Sequence, residues 1–229
     1  MAKKNSGRKS RRIEHIEQKN RIYIFSEGEK TEPNYFGGFK KLIEDDPIYK
    51  DMIEIVPCET NTVKVLEAAR QYVKDKGIQR GEIWCVYDKD DFPADAFNAV
   101  VGKIERINHK NDDSLRYYAA WSNQCIEYWF ILHFSYYTSN NHRTSYIKHL
   151  NEEFAKKGLG KYRKNSETIF DILKDQGNPV NAIKYAKRIM KENEGKEPSK
   201  IAPGTTVYLL VEDLVKYLPE NERKHFVQD

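Results

Sequence analysis

A chain of 229 residues and 27.0 kDa is long enough for one domain of some size, or a domain with a helical extension, and for a core of its own. Its three cysteines, Cys58, Cys85 and Cys125, are odd in number and set in apolar runs, which argues against a disulfide framework or a zinc site. No apolar run approaches the roughly 20 residues of a spanning helix, and the polar N-terminus lacks the apolar centre of a signal peptide, so a cytoplasmic protein with no membrane association is expected.

The formal net charge of +4 is unevenly spread. Residues 1–20 hold seven Lys or Arg against two Glu, and residues 21–142 hold fifteen against twenty acids. Residues 143–200 hold fourteen against eight, and residues 201–229 three against five. An acidic body between two basic stretches suits carboxylates that gather metal ions and flanking cations that hold a polyanion; it equally suits basic surfaces that keep a protein soluble.

In chain order, residues 1–20 are polar and read as a basic flexible arm. RIYIFSE is a short apolar strand, and Pro33 is tolerated in the first turn of a helix through NYFGGFKKLIEDD. MIEIVPCE is a second strand. NTVKVLEAARQYVKDKG is an amphipathic helix with Val63, Leu66, Ala69 and Val73 on one stripe and Gly77 at its end. GEIWCVYDKDDF is a third strand that ends in acids. ADAFNAVVGKIERINHK follows as a helix, LRYYAAWSN as a fourth strand and CIEYWFILHF as an apolar helix. Beyond about residue 143 strand signals stop, and 143–158, 166–175, 179–194 and 205–218 read as helices around a basic, glycine-broken loop, KKGLGKYRKNS. The expected organisation is an arm over 1–20, an α/β domain over 21–142 with a parallel sheet covered by helices on both faces, and a helical extension over 143–229 packed on it.

Two acidic segments stand at strand ends. If the first and third strands are neighbours, Glu27 meets the alternating acids Asp88 and Asp90 at one sheet edge, where ligands of open α/β sheets bind. Carboxylates gathered this way repel unless a cation sits among them, and Mg²⁺ prefers one or two carboxylates with water and phosphate oxygens. Gly28 lets the chain turn after Glu27, and Lys30 can reach a phosphate from the same side. Asp91 would face away or support the turn. Glu127 is either a further metal ligand or base, or an exposed acid at a helix N-terminus. His133 reads as a core histidine, and Tyr117, Tyr118, Tyr128 and Trp129 as core aromatics. Lys30-Thr31 lacks the glycine-rich cradle of a phosphate loop, which argues against ATP hydrolysis by this chain.

IFSEGEKTEPNYF, WCVYDKDDF, WSNQCIEYWFILHF and TTVYLLVEDL, in that order, resemble the RloB-like family, which is related to the AbiLii proteins of bacterial abortive infection. The resemblance implies a Toprim-like fold in which a glutamate after the first strand and a D-x-D after the third bind Mg²⁺ or Mn²⁺ for phosphodiester chemistry; these are Glu27, Asp88 and Asp90 here. It also implies an antiphage role beside an ABC- or SMC-like partner ATPase encoded nearby. The sequence departs from the family pattern at Gln124, where relatives carry proline, and in having Glu29 and Glu32 rather than an aspartate after the first glutamate, so no role follows for either. The expected function is a metal-dependent nuclease acting on DNA or RNA, with Glu27, Lys30, Asp88 and Asp90 catalytic, Glu127 an added ligand, and Lys161, Arg163 and Lys164 on the nucleic-acid backbone. The alternative is a non-catalytic subunit that regulates the ATPase. Homo-oligomerisation is left open.

Overall fold

The computed structural model describes residues 21–60, 62–111 and 113–227, without the side chains of Thr62 and Val63. The arm expected over residues 1–20 and the Val63 side chain lie outside the described residues. Apolar alternation decides the layers. In β1 (Ile22–Ser26), Ile22 and Ile24 enter one core while Tyr23 and Phe25 enter another. In β3 (Gly81–Asp88), Trp84 and Val86 divide in the same way from Ile83, Cys85 and Tyr87. Successive side chains of a strand point to opposite faces, so both faces of this sheet are buried and each needs helices over it.

The sheet order is β2-β1-β3-β4-β5, with β2 over Ile53–Pro57, β4 over Leu115–Asn123 and β5 over Gly204–Thr205. The first four strands are parallel, and β1 and β3 are direct neighbours, Ser26 standing opposite Val86. Helices α2 (Thr62–Lys76) and α3 (Ala94–Lys110) cover one face, through Leu66, Ala69, Val73, Phe97, Val100 and Ile104. The other face carries α1 (Thr31–Glu44) and the helices that follow β4. These are α4 (Glu127–Ile131), α5 (Arg143–Lys156), α6 (Ile169–Asp175), α7 (Pro179–Glu192), α8 (Val207–Val215) and α9 (Glu220–Arg223). Phe36, Trp129, Tyr146, Phe170, Ala186 and Leu210 share that core with Ile22 and Val86.

Two expectations need correction. Strand structure does not stop at residue 143: β5 pairs antiparallel with β4, Ser122 opposite Thr205 and Asn123 opposite Gly204. A two-residue strand is too short to carry a period-2 pattern, and its burial comes from β4, the Ser122 and Thr205 hydroxyls standing 3.1 Å apart. CIEYWFILHF is helical only over Glu127–Ile131, because His133 and Phe134 bond to carbonyls three residues back, Phe130 and Ile131, and the chain tightens out of the α conformation.

His133 is a core residue: it is buried, its Nδ1 lies 3.0 Å from the Trp129 carbonyl, and burial lowers its pKa to about 4. Tyr117, Tyr128 and Trp129 are buried, and Tyr118 stacks on Trp84 with ring centres 4.6 Å apart. All three cysteines are free thiols. Among the described residues no helix is long and apolar enough to cross a membrane.

Candidate active site

Parallel pairing carries Glu27 and Asp88 to one edge of the sheet. The Glu27 amide donates to the Val86 carbonyl at 3.1 Å, extending the ladder one residue past β1, and the Asp88 amide donates to Glu27 Oε2 at 3.3 Å. Asp88 follows Val86 by two residues, so its side chain falls on the α1 and α4 face. There Asp88 Oδ2 accepts a 3.1 Å bond from the Ile126 amide, which precedes α4.

Two more carboxylates join from that face. Glu32, in the first turn of α1, lies on the same stripe as Tyr35, Phe36, Phe39 and Ile43 and is buried with them. Its pKa rises to about 7, first from burial and then from Glu127 and Glu27, with Lys164 opposing. A Cβ on Gly28 would stand 2.5 Å from Glu32 Oε2, so a larger residue there would push this carboxylate aside. Glu127 is buried at 1 % exposure, which overturns the reading of an exposed helix-terminal acid. Its Oε1 accepts a 3.0 Å bond from the Tyr162 hydroxyl and lies 3.6 Å from Lys164 Nζ.

The electrostatics centre on Asp88. Burial, followed by the charges of Glu32, Glu127, Asp90 and Glu27, holds its pKa well above 3.8. The thiol of Cys125 is raised by burial and then by Glu127 and Asp88. Burial would pull the Lys164 ammonium down, but Glu127, Asp88 and Asp90 bring it above its ordinary value. Several carboxylates thus press on one another with Lys164 as a partial counter-charge.

Asp90 stands differently. Its backbone is left-handed, φ +42°, and its amide donates to the Gln124 carbonyl at 2.8 Å. Its carboxylate is held by Arg143 at 2.7 Å, and the same guanidinium lies 3.4 Å from the exposed Asp91. Among the described residues no group of three or more His, Cys, Asp or Glu side chains is already drawn together as a ligand set. The donors present are nonetheless all carboxylate oxygens with an excess of negative charge, the chemistry a hard divalent cation takes.

The basic loop expected over 156–166 is tied to this edge from beneath. Tyr162 is buried against Glu127, the Thr31 hydroxyl donates to the Lys164 carbonyl at 2.8 Å, and the Asn34 amide donates to the Ser166 carbonyl at 3.1 Å. Lys161, Arg163 and Lys164 are exposed, the first two lining a cavity of about 410 Å³ with Tyr162 and Asn165. Lys30 precedes α1 and is exposed, as is Glu29.

The sequence reading missed Glu32, Arg143 and Tyr162. Glu32 left a signal, an acid on the buried stripe of its helix, and Tyr162 a weaker one, a lone aromatic in a basic loop. Arg143 left none, since its partners lie more than 50 residues away.

No curated protein and no solved structure is a match to the chain. The model of the RloB-like protein family matches residues 22–214. The chain therefore belongs to the RloB-like protein family.

Proposed function

We propose that this protein is a metal-dependent nuclease that acts as the effector of a bacterial defence system beside a partner ATPase. The carrying observation is the meeting of Glu27, Glu32, Asp88 and Glu127 at the C-terminal edge of two neighbouring parallel strands, where burial and then the neighbouring carboxylates disfavour the charges of Glu32 and Asp88. Such repulsion is offset by a cation, and Asp88 and Asp90 with Glu27 or Glu127 are the residues that would hold Mg²⁺ or Mn²⁺. The ion, when bound, polarises a phosphate and lowers the pKa of bound water. Glu27, which accepts a hydrogen bond from the Asp88 amide, would hold or accept a proton beside the substrate. Lys164 leans toward the carboxylates from the loop that carries Lys161 and Arg163, so the loop offers a phosphate backbone three cations next to the site. Lys30 offers a fourth from the start of α1.

Family membership supports a defence-associated role, and the resemblance behind it supports the ATPase as partner. A second reading, a non-catalytic subunit that regulates the ATPase, is favoured by one feature: Asp90 is engaged by Arg143 and no ligand set is closed among the described residues. Incubation with end-labelled DNA and RNA, with Mg²⁺, Mn²⁺ or EDTA and with or without the ATPase, separates the two. Metal-dependent cleavage that Asp88→Asn abolishes supports the nuclease. Absence of cleavage under every condition, with the ATPase still bound, supports the regulatory subunit.

A further inference from the structure

Arg143 opens α5, one residue after His142 caps it through the Thr144 amide, and it points back across the sheet edge to the loop that follows β3. One guanidinium nitrogen lies 2.7 Å from Asp90 Oδ1 and the other 3.4 Å from Asp91 Oδ2, with His142 Nε2 3.8 Å from Asp91. The planar fork of arginine matches paired oxygens of carboxylate and phosphate alike. The pair is not sealed in a core: Arg143 is 37 % exposed and Asp90 30 %, and a cavity of about 320 Å³ opens beside them, lined by Asp90, Asp91, Phe92, Pro93 and Arg143.

A carboxylate cannot give the same oxygen fully to a guanidinium and to a divalent ion. The backbone at Asp90, left-handed and fixed by the hydrogen bond its amide donates to the Gln124 carbonyl, leaves the side chain as the part that can change partner. We propose that Arg143 exchanges partners: it neutralises Asp90 while the site is empty of metal, is displaced when the ion takes Asp90, and then receives a non-bridging phosphate oxygen of the nucleic acid. This rests on the nuclease reading and adds an order to it, metal before substrate. Asp91 has a part as well. Exposed and within reach of the same guanidinium, it holds Arg143 near the cavity after Asp90 is given up.

Mn²⁺ binding to the full-length protein, followed by titration calorimetry without nucleic acid, tests the exchange directly. Wild type, Arg143→Gln, Arg143→Lys and Asp88→Asn are compared, with melting curves in EDTA to show that each variant is folded. Removing a competing cation from Asp90 should tighten Mn²⁺ about 3- to 10-fold in Arg143→Gln, while Arg143→Lys stays near wild type. In Mn²⁺ or Ca²⁺, Arg143→Gln should bind single-stranded DNA or RNA about tenfold more weakly, with a salt slope shallower by about 1. Mn²⁺ affinity in Arg143→Gln equal to or below a measurable wild-type value overturns the exchange and leaves the nuclease reading intact. A wild type that binds no Mn²⁺ and is indistinguishable from Asp88→Asn overturns both.

Discussion

The Tyr162 hydroxyl donates to Glu127 Oε1 at 3.0 Å, joining a basic loop to a buried acid 35 residues earlier in the chain. Burial and the facing Glu127 carboxylate both raise the Tyr162 pKa, so the phenol stays protonated and donates at any working pH. Removing it leaves a buried carboxylate with the longer contact to Lys164 and the weak thiol donor of Cys125. Tyr162→Phe should cost about 1–3 kcal/mol in urea unfolding at pH 7. Combined with Glu127→Gln, which removes the charge needing that partner, the loss should be smaller than in Tyr162→Phe alone. Equal losses in the two backgrounds would mean that Tyr162 acts through packing alone.

Asp88 gives a prediction of opposite sign. Burial and then four carboxylates around it disfavour its charge, so Asp88→Asn relieves both, and in EDTA its Tm should equal or exceed that of wild type. Mg²⁺ or Mn²⁺ should raise the wild-type Tm and leave that of Asp88→Asn unmoved. A variant that melts earlier, with wild type indifferent to metal, would identify Asp88 as a structural acid.

A second carboxyl pair lies away from this edge. Glu82, at the start of β3, has its pKa raised to about 7 by burial and then by Asp213. Asp213 is bonded through Oδ1 to Lys216 at 2.6 Å, and its Oδ2 is buried without another partner among the described residues, so a protonated Glu82 completes it. The folded protein keeps this proton to near pH 7, whereas the unfolded chain releases it near 4.5. Stability should therefore fall as pH rises from about 4.5 to about 7 and level off above. Glu82→Gln should flatten that part of a Tm-against-pH curve. A curve of unchanged shape would remove Glu82 as its source.

The loop cations should act on affinity and not on sequence preference. Neutralising Lys161 and Arg163, both exposed, should lower nucleic-acid affinity evenly across sequences and reduce the salt slope by about 2, with little effect on Tm. A slope that does not change would make them a solvated surface only.

How much of this was readable before folding depends on distance along the chain. The neighbouring of β1 and β3, and with it the approach of Glu27 to Asp88, follows from apolar runs and the order of strands and helices, all local signals. Glu32 was half legible, because a helical stripe shows its burial but not what it faces. The clamp of Arg143 on Asp90 and the bond of Tyr162 to Glu127 are pairings between a helix start or loop and a distant strand end, and no periodicity encodes them. The edge strand Gly204–Thr205 escaped for the same reason, its partner lying more than 80 residues earlier.

That edge strand also sets a schedule. During synthesis β1 to β4 emerge first, but the Trp121 amide donates to the Thr206 hydroxyl at 2.9 Å and the Thr206 amide to the Trp121 carbonyl at 2.8 Å, groups made 85 residues later. Val207, Leu210 and Leu214 then fill the core behind them. A nascent chain of fewer than about 205 residues lacks these pieces, so the sheet is completed only once they have been made. Translation that stalls before about residue 205 leaves β4 with an open edge, and the acid-bearing loops beside it are not yet held by a finished fold.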